Sequence, residues 1–306
     1  MGRFVESKRK MKQKTIAIIA PTGMLGSMVY GELKNQHKLL LIYRDKEKLR
    51  KLEEVYGSAQ KHKKINFDIN NIYQDYIKSF PTEKVGPNTI KLIEMIGQVD
   101  AVINCAGITK PHSLKNPTAT LFINGLFPNI LSAIYKDELI QITTDCVFDG
   151  ISGSPYNETS SKFPNDLYGI SKSIGEPKES LILRTSIIGP ELNTSELFLD
   201  WFRKQKNKKI YGFTNHLWNG ITTKQFARVC NQIIQNREKF PKNGLFHIFS
   251  TDVTKCDMLV ALKNKYSILT AIEPKQTQRI DRRLRTIHDF NKLLQIPSFD
   301  IMIDEL

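Results

Sequence analysis

The most constraining feature of this chain is its opening: a short apolar, β-branched run at residues 15–20 breaks into Pro21-Thr22-Gly23-Met24-Leu25-Gly26 and then turns helical through Leu33. Strand, tight glycine turn and helix in that order aim backbone N–H groups and the positive end of the helix at a diphosphate. Further apolar runs at 39–42, 64–67, 101–104, 139–143 and 181–183 alternate with helical patterns. That alternation predicts an α/β protein: a Rossmann-type, doubly wound parallel sheet covered by helices on both faces.

In the glycine turn the usual Gly-x-x-Gly-x-x-Gly spacing has Ala20 at its first position, with Gly23 and Gly26 keeping the other two. An alanine there has no comfortable positive φ. Ala20, Thr22, Gly23, Met24, Leu25 and Gly26 are the expected phosphate cradle; a plain strand-to-helix turn is the bland alternative. The second strand ends at Tyr43-Arg44-Asp45. An acid at this point would bond the ribose hydroxyls of NAD, whereas an arginine accommodates the 2′-phosphate of NADP. Arg44 favours NADP(H), Asp45 argues for NAD, and the charged helix that follows would suit a merely solvated Arg44.

The 306 residues suit one large domain or two modest ones. The expected division is a basic, disordered leader over 1–14, an NADP-binding domain over 15–189 with 226–244 returning to it, and a smaller substrate-binding domain from 190–225 and 245–306. No apolar stretch approaches the ~18 residues that span a bilayer, so no membrane association is expected. The leader lacks the apolar region of a signal peptide. Met1-Gly2 is followed by Glu6 where myristoylation wants Ser or Thr. Cys105, Cys146, Cys230 and Cys256 are far apart and show no metal or redox spacing, so the chain reads as reduced, metal-free and cytoplasmic. The formal charge of +14 raises nucleic-acid binding as a rival reading. Much of it sits in the leader and in Arg203, Lys204, Lys206, Lys208 and Lys209, and no nucleic-acid motif accompanies it. A basic surface also attracts anionic nucleotides.

Tyr168-Gly169-Ile170-Ser171-Lys172 follows Thr144, the residue that closes the fifth apolar run. A helix stacks residues i and i+4 on one face, so Tyr168 and Lys172 can act as a pair, and the ammonium is expected to lower the phenol pKa. Spacing alone proves little: Tyr30 and Lys34 share it and read as ordinary amphipathic surface.

With Thr143-Thr144-Asp145-Cys146-Val147-Phe148 and the Tyr168–Lys172 motif together, the chain resembles the extended short-chain dehydrogenases, and within them the dTDP-4-dehydrorhamnose reductase family. The resemblance runs from Thr15 nearly to the C-terminus. It implies that Thr144, Tyr168 and Lys172 are catalytic, that Tyr168 and Lys172 also hold the cofactor, and that Asp68, Ile69, Cys105, Ala106 and Gly107 contact it. It implies NADPH-dependent reduction of the C4 ketone of a nucleotide-linked 4-keto-6-deoxyhexose for surface glycan synthesis. The nucleotide sugar would be the partner, no nucleic acid is expected, and a homodimer is compatible.

The departures fall in the substrate pocket. Cys146 stands where the reductases usually carry Tyr and the related 4,6-dehydratases carry Glu, which speaks against dehydration. Ile187 replaces a frequent Trp. The Asn215–Thr223 stretch, with His216 and Trp218, resembles a branch associated with UDP-linked N-acetylated 6-deoxy sugars. Cys146, Ile187, His216, Trp218 and Arg282 are the candidate substrate-binding residues, with structural packing the alternative for His216 and Trp218. The regulatory subunit of methionine adenosyltransferase resembles the same family, so a non-catalytic role is a rival.

Overall fold

The computed structural model describes residues 12–79 and 85–306; the expected leader lies outside it up to residue 11, as do residues 80–84 of the loop before the helix at 87. β1 (Thr15–Ile19), β2 (Lys38–Tyr43), β3 (Lys63–Asn66), β4 (Ala101–Asn104), β5 (Leu139–Thr144), β6 (Leu181–Thr185) and a seventh strand, Gly244–His247, form one sheet. Their order is seventh, β6, β5, β4, β1, β2, β3. Every pairing is parallel. The order reverses between β4 and β2, either side of β1, which opens a crevice at the carboxyl ends of the strands. Ile19 pairs with both Ile42 and Asn104, so β1, β2 and β4 end level at that crevice.

The β-branched runs are buried on both faces, as a sheet covered twice requires. On one face α1 (Met24–Leu33) packs against the helix Thr223–Gln235, and Ile16, Val29 and Leu41 share a core with Phe226 and Ile233. On the other, Ala17, Ile42 and Val102 meet Phe127 and Leu131. These last belong to the helical run Pro117–Glu138, which by length and composition alone could cross a membrane, contrary to the sequence reading. Its most apolar window is 67% buried inside the fold, as a core helix would be. Tyr30 also departs from expectation: it is fully buried, not amphipathic surface, and its hydroxyl donates to the Gly57 carbonyl at 2.8 Å.

A second cluster gathers Ile188, Leu199, Phe202, Trp218, Met258 and Phe299. It is framed by a parallel pair, Lys209–Phe213 with Ala271–Lys275, and by the trio Val253–Thr254, His216–Trp218 and Ile280–Asp281. The chain passes between the two units several times. The main sheet takes in residues up to His247, beyond the expected return at 244, and Phe246 stacks on Phe290 at 4.4 Å between centroids.

Candidate active site

Two contiguous cavities, of about 500 and about 310 Å³, run along the carboxyl edge of the sheet and share Gly23, Met24, Ala106 and Gly107. The larger is lined by Ala20, Thr22, Arg44, Asp68 and Ile69, the smaller by Leu25, Cys105, Thr144, Cys146, Tyr168, Lys172 and Ile187.

The turn between them suits a phosphate. α1 starts after Gly23 with no side chain capping its N-terminus and no acid in its first turn, so its leading N–H groups lack a side-chain acceptor. A Cβ at Gly26 would stand 2.2 Å from the Ala20 carbonyl oxygen, so the protein itself requires that glycine. A Cβ at Gly23 would meet nothing closer than 3.6 Å, so the room there serves something other than the fold. Ala20 does take a left-handed φ of 57°, at a cost of roughly 1–2 kcal/mol for an L residue. Gly23→Ala is therefore expected to keep the thermal stability of the wild type and lose cofactor affinity, whereas Gly26→Ala should lose stability first. Thermal melts and cofactor titrations on both variants check this; an equal loss of Tm would show that Gly23 also serves the fold.

At the end of β2 the Asp45 carboxylate is turned into the next helix, accepting from the backbone N–H groups of Glu47 and Lys48 at 2.9 and 3.1 Å. Arg44 is exposed and lines the larger cavity, with Lys48 as a second cation.

Thr144 is the last residue of β5 and lies across the pair β5–β6 from Thr185. Its hydroxyl donates to Asp145 Oδ1 at 3.1 Å and accepts from the Cys146 N–H at 3.2 Å, and Tyr168 lines the same cavity. Tyr168 rides on the helix Leu167–Ile174, whose N-terminus Asp166 caps through the Gly169 N–H at 2.8 Å. Gly169 lets that helix approach the Thr144 turn: a Cβ there would stand 2.2 Å from the Cys146 carbonyl oxygen. Burial raises the Tyr168 pKa above its ordinary value, with the Cys146 thiol and Asp145 adding to the effect. This reverses the expected lowering by Lys172, whose ammonium instead donates to the Ile142 carbonyl at 3.1 Å. A phenol that keeps its proton is suited to giving one up as an acid.

Lys172 is itself pushed down to about 8 by burial, against the opposing charges of Glu176 and Cys105. Its folded pKa is below the unfolded value, so burial disfavours the charged form: the penalty is complete below pH 8 and fades as pH rises through the unfolded value near ~10.4. Lys172→Met is therefore expected to abolish turnover yet raise stability at pH 7 by about 1–3 kcal/mol, after the lost bond to Ile142 is subtracted. Denaturant unfolding of the variant tests this; a fall in stability would mean the amine is well solvated.

The candidate substrate residues separate. Cys146 and Ile187 line the smaller cavity, and burial pushes the Cys146 thiol up to about 12, leaving it neutral. Trp218 lies in the second core, edge-on to Phe299, and so matches the packing alternative. His216 bonds Thr277 Oγ1 at 2.8 Å and packs on Phe213, outside both cavities. Arg282 donates from Nε and Nη2 to the Phe148 and Asp149 carbonyls at 3.1 and 3.2 Å, holding the loop that follows the Thr144 turn. Among the described residues no cluster of three or more His, Cys, Asp or Glu could hold a metal.

Sequence reasoning missed Asn124. It sits in a π-helical turn, Phe122–Leu126, where its amide clamps the Ile108 backbone on both sides, at 2.8 and 2.9 Å, and donates to Ser171. A buried Asn-Gly inside an apolar run was the available signal. Asn193, which donates to the Thr22 carbonyl from 171 positions away, left none.

A doubly wound sheet with a glycine turn at its switch point and a Thr, Tyr and Lys converging beyond β5 defines an extended short-chain dehydrogenase/reductase fold. The RmlD substrate binding domain family matches residues 86–286, and the chain belongs to that family. A probable low-salt glycan biosynthesis reductase, Agl14 of Haloferax volcanii, is 35% identical over 37% of this chain and 43% of its own length. The dTDP-4-keto-6-deoxy-D-glucose reductase of Streptomyces niveus is 33% identical over 28% and 33%, so the chain spans less than half of these relatives. Methionine adenosyltransferase 2 subunit beta of Bos taurus is 25% identical over 87% of this chain and 76% of its own. The solved dTDP-4-dehydrorhamnose reductase of Bacillus anthracis, in complex with NADP, shares the fold at TM-score 0.69 and 17% identity, covering 96% and 98% of the two chains.

Proposed function

We propose that this protein reduces the C4 ketone of a nucleotide-linked 4-keto-6-deoxyhexose with NADPH, in the synthesis of an activated deoxysugar. The observation that carries this reading is the convergence of the Thr144 and Tyr168 hydroxyls and Lys172 on one cavity continuous with the glycine-turn cavity. When bound, NADPH supplies the hydride. The leading N–H groups of α1 and the space at Gly23 receive the diphosphate, Arg44 with Lys48 the 2′-phosphate, and Lys172 the ribose beside the nicotinamide. Thr144 turns its hydroxyl from Asp145 to the substrate carbonyl, and Tyr168 delivers its proton to the oxygen as negative charge develops there. Met24, Leu25, Ile187 and Phe198 give the cavity apolar walls that exclude water.

The cofactor preference has its own test. Arg44→Ala should weaken NADPH about 10- to 100-fold, the worth of charge-assisted hydrogen bonds to a phosphate, and leave NADH nearly unchanged. Equal weakening of both would make Arg44 a loop residue.

For the substrate, the small Cys146 and Ile187 leave space where bulkier side chains would stand, which favours a UDP-2-acetamido-2,6-dideoxy-4-hexulose over dTDP-4-dehydrorhamnose. Side-by-side kcat/KM values for the two decide the matter, and a clear preference for the dTDP sugar overturns the UDP branch. The likeness to methionine adenosyltransferase 2 subunit beta over most of both chains supports a second reading, a non-catalytic partner subunit. NADPH consumption with neither substrate would favour it.

A further inference from the structure

Lys255 opens the helix Lys255–Tyr266, directly after the strand Val253–Thr254. Its ammonium lies 4.8 Å from the ring centroid of Phe198 and 5.5 Å from that of Trp218. Aromatic faces hold a cation in place but accept no conventional hydrogen bond. Among the described residues no carboxylate or carbonyl pairs with this ammonium, although the side chain is only partly exposed and burial lowers its pKa. A lysine brings three N–H donors, and leaving them unmet away from water is unfavourable.

The surroundings show which way the imbalance points. Phe198 lines the cavity that holds Thr144, Cys146 and Tyr168. The first opposing charge beside Lys255 is Asp145, a carboxyl that burial pushes up and that already accepts from the Thr144 hydroxyl. Arg282 stands against the same turn and acts on Asp145 and Cys146 as a second cation. Two cations thus converge beside the reaction cavity with one acid, Asp145, between them.

We infer that Lys255 binds the diphosphate of the nucleotide-linked substrate and thereby sets where the sugar lies relative to Thr144 and Tyr168. This rests on the proposed reductase reading, in which the uracil or thymine base and the keto sugar are neutral and the diphosphate is the obligate anion. The assignment also accounts for Trp218: from the second core its ring positions the lysine and need not touch the sugar.

The test titrates UDP and dTDP calorimetrically into the full-length, NADP-loaded protein, comparing wild type with Lys255→Met and Lys255→Arg. Met keeps the apolar stem against Phe198 and Trp218, and a melt of each variant verifies folding. Wild type is expected to bind at least one of the two diphosphates, Met to weaken it about 10- to 100-fold, and Arg to retain most of the affinity. Uridine and thymidine, which lack phosphate, should bind all three proteins alike. In turnover the Met variant should lose more in KM than in kcat. Unchanged diphosphate affinity in the Met variant overturns the role of Lys255 and leaves the reductase reading standing. Equal weakening of the bare nucleosides would make Lys255 a packing residue and also overturn it. Wild type that binds neither diphosphate would sink the nucleotide-sugar reading itself, and Lys255 with it.

Discussion

Tyr168→Phe is expected to lower kcat by about 100- to 10,000-fold, the usual worth of a positioned general acid, while NADPH affinity stays at the wild-type level. The ring that packs the helix Leu167–Ile174 remains, and only the hydroxyl is lost. Because burial holds the phenol pKa above its ordinary value, the acid form persists through neutral pH, and wild-type kcat should not fall for want of that proton below the ordinary tyrosine range. Tyr30→Phe is the control. It removes a buried hydrogen bond to Gly57, so stability should drop by about 1 kcal/mol while the turnover of the folded protein is retained. Loss of NADPH binding in the Tyr168 variant, or loss of turnover in both, would overturn the assignment of the proton donor.

The largest stability effect is expected behind the site. Arg184, on β6, is fully buried and grips Glu176 with two parallel bonds, Nε to Oε1 at 3.0 Å and Nη2 to Oε2 at 2.7 Å. Its Nη1 bonds His247 Nε2 at 2.9 Å. Arginine has only donors, so His247 accepts there and donates its Nδ1–H to the Arg285 carbonyl at 2.7 Å. Burial, reinforced by Arg184, accordingly lowers the His247 pKa and keeps the ring neutral. Burial alone would raise the Glu176 carboxyl, but Arg184 and Lys162 more than reverse it and leave it below its ordinary value.

Glu176→Ala strands the Arg184 charge inside the protein and should cost about 3–5 kcal/mol. Replacing both members, as Glu176→Leu with Arg184→Met, should cost much less, because no unpaired charge remains. Denaturant unfolding of the single and double variants measures the difference; a single variant no worse than the double would show that water reaches Arg184. The folded pKa of Glu176 is depressed, so its contribution is present above the unfolded carboxylate range and lost as pH falls through the folded value. The acid limb of a stability profile should therefore flatten in the double variant.

Much of this was legible in the sequence for a local reason. Residues 15–26 could be placed because a β-branched run, a glycine turn and a helix pattern are properties of adjacent residues, and the parallel sheet followed from their repetition. That Thr144 closes a strand and that Tyr168 and Lys172 share a helix face were legible for the same short-range reason, while their catalytic role rested on the resemblance, since Tyr30 and Lys34 share the spacing. The helical run 117–138 was missed as an apolar stretch of membrane length because a helix that covers a sheet and one that crosses a bilayer share an apolar composition. Tyr30 and Trp218 went the way of packing: an aromatic ring looks the same in sequence whether it fills a core or faces a ligand.

By itself, then, the sequence determined the fold class, the order of its elements and the types of side chain brought to the crevice, since each depends on periodicity and turn chemistry. Tertiary structure alone decided their environments. It buried Tyr168 and so raised a pKa expected to fall, and it attached Lys172 to the Ile142 carbonyl. It turned Asp45 into a helix cap and left Arg44 facing the cavity. It set Lys255 between two aromatic rings from separate segments. The physical reason is the same in each case: desolvation and hydrogen-bond partnership depend on what the rest of the chain places within a few ångströms, and no local spacing encodes that.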